Sequence, residues 1–273
     1  MFVRHGPHTP VEERARAMTA LGIALGVLVG LSLGLLGGGG SILTVPILAY
    51  VVGFDPKPAI AMSLVVVGGT STIGAVGHAR ARHVRLRVAL LFGILSMGGS
   101  YASARLAAYV PGVVQMTIFA IVMLVAAGFM FGGRRDPGHA EAPLHYDAGD
   151  LVLIAVVGLG VGALTGLVGV GGGFLFVPAL VLLGHLPMKD AIGTSLVVIA
   201  MNCVAGFSGY LGQVTIPWGF LIAFTAVAGI GSLVGAAVTT RVSHQALRRA
   251  FSLFLILMGL AILYKNRRVF LGY

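Results

Sequence analysis

The sequence predicts an all-α polytopic membrane protein made of two inverted-topology repeats, each a re-entrant, broken-helix hairpin followed by three transmembrane helices. Three observations predict it. First, the chain of 273 residues is 58% hydrophobic and only 10% charged. Its uncharged runs, such as 17–54, 106–133, 151–188 and 191–240, exceed the roughly 20 apolar residues that cross a bilayer. Second, a glycine-rich block closed by proline occurs twice, as GLLGGGGSILTVP from Gly34 to Pro46 and as GLVGVGGGFLFVP from Gly166 to Pro178. Third, the arginine-bearing loops fall at non-equivalent places in the two copies.

The shift of 132 residues that carries Pro46 onto Pro178 also carries Ser63–Val66 (SLVV) onto Ser195–Val198. It pairs Gly74 with Gly206, Gly77 with Gly209 and Gly99-Ser100 with Gly231-Ser232, without a gap. A match of this kind marks a duplicated unit. The chain then divides into an N-terminal tail (1–17), repeat one (18–131), a mixed-charge linker (132–150), repeat two (151–264) and a C-terminal tail (265–273).

Each copy opens with a helix, Met18–Leu36 or Leu151–Val168, and the glycine block follows. Next comes a short apolar segment, Ile42–Val52 or Phe174–Leu183. About 11 helical residues rise about 16 Å, half of a hydrocarbon core about 30 Å thick. The segment cannot cross alone, so the block is expected at the tip of a hairpin at membrane depth, where irregular backbone must be buried in protein or face a water-filled cavity. Three helices complete each copy, near Ala59–Gly77, Val88–Ala108 and Val113–Phe131, and near Ala191–Gly209, Trp218–Thr239 and Ala250–Tyr264.

Loop charge sets the orientation. Arg80, Arg82, Arg85 and Arg87 follow the second full helix of copy one, whereas the equivalent stretch 210–219 carries no charge. Arg241, Arg248 and Arg249 lie in the next loop of copy two, whereas the equivalent 109–117 carries none. Cytoplasmic loops collect Lys and Arg, so the two repeats are expected to be inverted, with both arginine loops and the linker cytoplasmic. Both termini then fall outside, against the pull of Lys265, Arg267 and Arg268. The net charge of +10 is accounted for by these loops and tails rather than by nucleic-acid binding. The polar start of the chain, with Glu12 and Glu13, does not read as a cleavable signal peptide.

These blocks resemble the TauE/SafE family of sulfite exporters and related anion permeases, whose pattern G-x-x-G-x-G-G-G with a following proline is matched by Gly166, Gly169, Gly171, Gly172, Gly173 and Pro178. Copy one departs slightly, with Gly37–Gly40 unbroken and Ser41 where copy two has Gly173. The resemblance covers nearly the whole chain after Thr19 and implies a multi-pass protein of the cell membrane that moves sulfite, sulfonates such as sulfoacetate, or other small sulfur-containing anions.

The residues themselves point to an anion site. Hairpins entering from opposite faces bring their tips, Gly39, Gly40 and Ser41 and Gly171, Gly172 and Gly173, toward the midplane. Each tip precedes a helix N-terminus, whose unpaired N–H groups and positive dipole end favour an anion. The competing reading is that the glycines only let helices pack closely. Side chains expected near the same depth are the equivalent pairs Ser63 and Ser195, and Thr70 and Asn202, together with Thr194. Asn202 offers two amide donors, against which stands a purely structural interhelical hydrogen bond. The serines and threonines can bond back to their own helices. Lys57 and Lys189 are equivalent and read as interfacial.

No Asp or Glu lies inside a long apolar run, which argues against a carboxylate proton relay. The single cysteine, Cys203, excludes an internal disulfide, and no cofactor or metal site is expected. An enzyme is not expected either, because Ser41 has no histidine at its depth. The leading reading is a secondary carrier working by alternating access, with a small anion and the bilayer as partners and homo-oligomerisation open. A passive anion channel and a non-transporting scaffold are the alternatives.

Overall fold

The computed structural model describes residues 21–22, 24–34, 41–131, 148–169, 171–182, 186–238 and 244–270. The described residues form a helical bundle: α1 (Ala24–Gly34), α2 (Ser41–Val51), α3 (Pro56–Arg80), α4 (Leu86–Leu106), α5 (Gly112–Phe131), α6 (Ala148–Val168), α7 (Gly173–Leu182), α8 (Met188–Tyr210), α9 (Trp218–Val238) and α10 (His244–Phe270). Among them α3, α4, α8 and α9 are long and apolar enough to cross a membrane. The protein is an all-α, multi-pass membrane protein.

The helices start and break where the residues require. Pro56 occupies the first turn of α3, where its missing N–H costs nothing. Pro46 sits inside α2 and cannot donate, and the chain widens just after it into a π-helical turn over Ile47–Val51. Val52 N–H there bonds the Ile47 carbonyl at 3.0 Å. Lys57 and Gln115 make polar contacts nearby. Lys57 Nζ donates to the Ala108 carbonyl at 2.9 Å and Gln115 Nε2 to the Ala107 carbonyl at 2.9 Å, satisfying the end of α4.

Glycine decides the packing. In lipid, helices associate through close van der Waals contact, and small residues allow it. Gly158, Gly162 and Gly166 of α6 lie against the backbone of Phe92, Ser96 and Ser100 of α4. Gly26 and Gly30 of α1 lie in the same way against Phe224 and Ala228 of α9. These are the same contacts displaced by 132 residues, with a Cβ at Gly162 or Gly30 overlapping the carbonyl of Ser96 or Ala228. So α6 packs on α4 and α1 packs on α9.

The contact register gives the chain directions. Gly68 meets Cys203, Gly74 meets Leu196 and Gly206 meets Leu64, so the equivalent helices α3 and α8 cross antiparallel. Helix α4 runs parallel to α6 and to α8, where Gly93 meets Met201 and Gly209 meets Tyr101 and Ala104. Helix α10 runs antiparallel to α5, with Asn266 Nδ2 reaching the Val113 carbonyl at 3.5 Å and Gly259 against Ala120 and Leu124. The bundle therefore has two ends. One carries the turn from Arg80 to Arg85, the end of α5, and the starts of α6, α8 and α10; we call it the arginine end. The other carries the turn from Leu211 to Pro217, the starts of α3, α5 and α9, and Lys265 near Tyr50; we call it the glutamine end after Gln213.

Candidate functional site

Hairpin two is the best-defined candidate. Helix α6 ends as Gly169 N–H bonds the Thr165 carbonyl at 2.8 Å. The backbone then reverses through Gly169, Gly171 and Gly172, with φ of 76°, 68° and 71°. That left-handed region strains any residue with a Cβ, so glycine is required there for conformation as well as for room. Helix α7 starts at Gly173, and the Gly172 carbonyl takes the N–H groups of Leu175 and Phe176, both at 2.9 Å. The first N–H groups of α7 are those that helical geometry leaves without an intrahelical partner. Phe176 holds α7 on α4 through an edge-on contact with Phe92, ring centres 5.5 Å apart.

The tip is buried and seated on the α3–α8 crossing. A Cβ at Gly169 would press on Ile60 and Ser63, one at Gly171 on Val67, and one at Gly172 on Thr165 and Phe176. Ser63 Oγ lies within hydrogen-bond reach of the Gly169 and Ile60 carbonyls. Ser63 of α3 thus contacts the tip between α6 and α7.

The other sequence-predicted residues fall into three groups. Thr70 and Asn202 lie near the crossing itself, yet their side chains are differently occupied. Thr70 Oγ1 bonds back to the Val66 and Val67 carbonyls at 2.8 and 3.0 Å. Asn202 Oδ1 accepts from Ser96 Oγ on α4 at 3.3 Å, and its Nδ2 has no partner. Exchanging the two amide atoms would only move the unpaired end from Nδ2 to Oδ1. Ser195 Oγ bonds back to the Ile192 carbonyl at 2.8 Å. Thr194 is drawn away to the arginine end, where its Oγ1 accepts the Arg85 N–H at 3.0 Å. Ser41 is buried at the start of α2. Gly39 and Gly40 lie outside the described residues.

Two features escaped the sequence reading. Ser96 and Ser100 flank Asn202, Ser100 Oγ donating to the Asn202 carbonyl at 3.2 Å. They belong to the stripe Ser96, Gly99, Ser100, Ser103, whose helical spacing opposite the glycines of α6 could have flagged it. Asp190, which borders an apolar run, is buried and paired with Arg85 and His83. The oxygens Thr44 Oγ1 and Ser71 Oγ are also buried without a partner.

A family model described as "Sulfite exporter TauE/SafE" matches residues 22–262. The chain belongs to this family. A "Probable membrane transporter protein" of Xylella fastidiosa (strain 9a5c) is 32% identical over 248 residues, covering 89% of this chain and 94% of its own. The probable membrane transporter protein YunE of Bacillus subtilis (strain 168) is 26% identical, covering 89% and 97%. A probable membrane transporter protein of Methanocaldococcus jannaschii is 28% identical, covering 88% and 94%. No solved structure matches the chain. This TauE/SafE protein is a membrane transporter, which implies a small-molecule substrate and a lipid bilayer.

Proposed function

We propose that the protein is a secondary carrier for a small sulfur-containing anion, such as sulfite, sulfoacetate or a related sulfonate, that works by alternating access between two repeats inverted across the membrane. The observation that carries this reading is the buried tip formed by Gly169, Gly171, Gly172 and Gly173. Three left-handed glycines there aim the N-terminus of α7 at the α3–α8 crossing. An anion at that place is met by backbone N–H groups and a positive helix end rather than by a cation. The unpaired Ser71 hydroxyl and Asn202 amide belong to the two helices that cross there. The family match supports the sulfur chemistry.

The substrate would bind between the tip of hairpin two and its counterpart at Gly39, Gly40 and Ser41, with Ser63 holding the tip of hairpin two, Ser195 as its sequence equivalent, and Thr70 and Asn202 on the crossing. Alternating access follows from the dyad: rocking one repeat against the other exposes the same site first at one end and then at the other.

Counterflow in proteoliposomes tests this. Labelled sulfite or methanesulfonate should accumulate transiently against unlabelled substrate and saturate; a channel gives no trans-stimulation. Gly172→Val should abolish exchange. Because that variant strains the turn, Ser63→Ala, which frees the tip, and Asn202→Leu, which removes an amide donor, provide the milder test and should each raise KM by about tenfold, roughly one lost hydrogen bond. Unchanged exchange in both would remove the tip as the site. Cysteines at Arg82 and Gln213 should label from opposite faces.

A further inference from the structure

The turn between α3 and α4 belongs to repeat one, and the first turns of α8 belong to repeat two. Four contacts join them at the arginine end. Arg85 Nε donates to Asp190 Oδ2 at 2.7 Å, and His83 Nδ1 lies 3.0 Å from Asp190 Oδ1. Arg85 N–H, at the start of α4, bonds Thr194 Oγ1 at 3.0 Å. Gly193 leaves room for the His83 carbonyl, which any Cβ there would overlap. The turn itself passes through Arg82 at φ 60°, an uncommon conformation for a residue with a side chain.

The dyad counterparts of these residues are unable to repeat the joint. A shift of 132 turns Asp190 into Pro58, His83 into Thr215, Arg85 into Pro217 and Thr194 into Met62. The ion pairs are therefore specific to one end of an otherwise duplicated bundle. They are also half wet: the Arg85 and His83 side chains are 53% and 39% exposed, while that of Asp190 is 10% exposed. Water can take over the two basic groups when the joint parts, which a fully buried pair would not allow.

We propose that the Asp190–Arg85–His83 joint is the lock of the gate at the arginine end. Helix α8 leaves the base of hairpin two at Pro187 and lines the tip at Ile199, while α3 lines it at Val67. Parting the turn from α8 separates the two helices that cover the tip from that end. The joint thus biases the carrier toward the state closed there, and each transport cycle must break and remake it. The inference rests on the carrier reading, and it assigns that site its control.

Cys203, the only cysteine and buried at the α3–α8 crossing, is a built-in reporter. In vesicles of known orientation, labelling of Cys203 by a small membrane-impermeant thiol reagent from the arginine end should rise on the order of tenfold in Asp190→Asn and in Arg85→Gln. Labelling from the glutamine end should not rise. The exchange variant Arg85→Asp/Asp190→Arg, which restores opposite charges, should return the rate toward the original. Unchanged labelling, equal acceleration from both ends, or no recovery in the exchange variant would overturn the proposal. Labelling needs no substrate, so failure of the carrier reading would show separately, as absent counterflow with the labelling shift intact.

Discussion

The two ends of the bundle hold equivalent junctions by different chemistry. At the arginine end, the start of α4 is fastened to the start of α8 by Arg85, His83, Asp190 and Thr194. At the glutamine end, the dyad-equivalent junction joins the start of α9 to the start of α3, and there Phe220 packs on Phe54 with ring centres 5.4 Å apart. Trp218 adds an edge-on contact with Phe207 at 6.1 Å. An ion pair weakens with salt and can be solvated by water, whereas an aromatic contact is indifferent to salt and resists water. The ion-paired junction should therefore respond to salt more than the aromatic one. The glycine contacts recur at a shift of 132 residues, while the side chains at the two ends differ.

The strongest way to break this comparison is to attack what the two halves share. Gly162→Leu and Gly30→Leu both force a side chain into an opposing carbonyl, at Ser96 and at Ala228. Overpacking a tight interface costs about 1–3 kcal/mol where the neighbours can yield, and backbone yields least. Both variants should lose the monodisperse peak in detergent gel filtration. Survival of one alone would mean that the reciprocal contacts do not carry equal weight.

The next effect separates the ends. Phe220→Ala should lower stability by roughly 2–3 kcal/mol, below the roughly 3–5 of a buried aromatic truncation because the ring is only half buried. Asp190→Asn should cost about 1–2 kcal/mol, since Arg85 can turn to water. Salt is the discriminating variable. Raising ionic strength should lower the Tm of the parent protein and of Phe220→Ala alike, and this sensitivity should shrink in Asp190→Asn. Equal salt response in all three would erase the distinction between the junctions.

Part of this was legible in the residues. The repeat shift anticipates the reciprocal contacts, because glycine pairs such as Gly74 and Gly206 can be matched only if both copies pack alike. The glycine block was legible as a break. Its second role was not: Gly169, Gly171 and Gly172 satisfy both a left-handed backbone and a close approach to Ile60, Val67 and Thr165. Sequence spacing gives no partner elsewhere in the chain, so it favoured the ligand reading of the glycines over the packing reading without showing either contact. Thr194 illustrates the same limit. Its neighbour Ser195 bonds within the helix, while Thr194, one position back and about 100° around, meets the Arg85 backbone. Asp190 was passed over because a carboxylate at the edge of an apolar run looks interfacial until its two basic partners, some hundred residues earlier, are seen beside it.

The smallest effect belongs to Gln213, and its smallness is the point. Nε2 donates to the Gly209 carbonyl at 2.6 Å and to the Ala104 carbonyl at 3.2 Å, tying the end of α8 to α4 at the glutamine end. Its Oε1 is buried without a partner. Gln213→Ala removes both bonds and the unsatisfied oxygen together. A net hydrogen bond contributes about 1 kcal/mol, and an orphaned buried acceptor costs a comparable amount, so the two changes nearly cancel. The variant should shift Tm by less than Asp190→Asn does, with labelling of Cys203 unchanged from either face. A larger loss than Asp190→Asn would place the polar lock at the glutamine end and reverse the assignment of the two junctions.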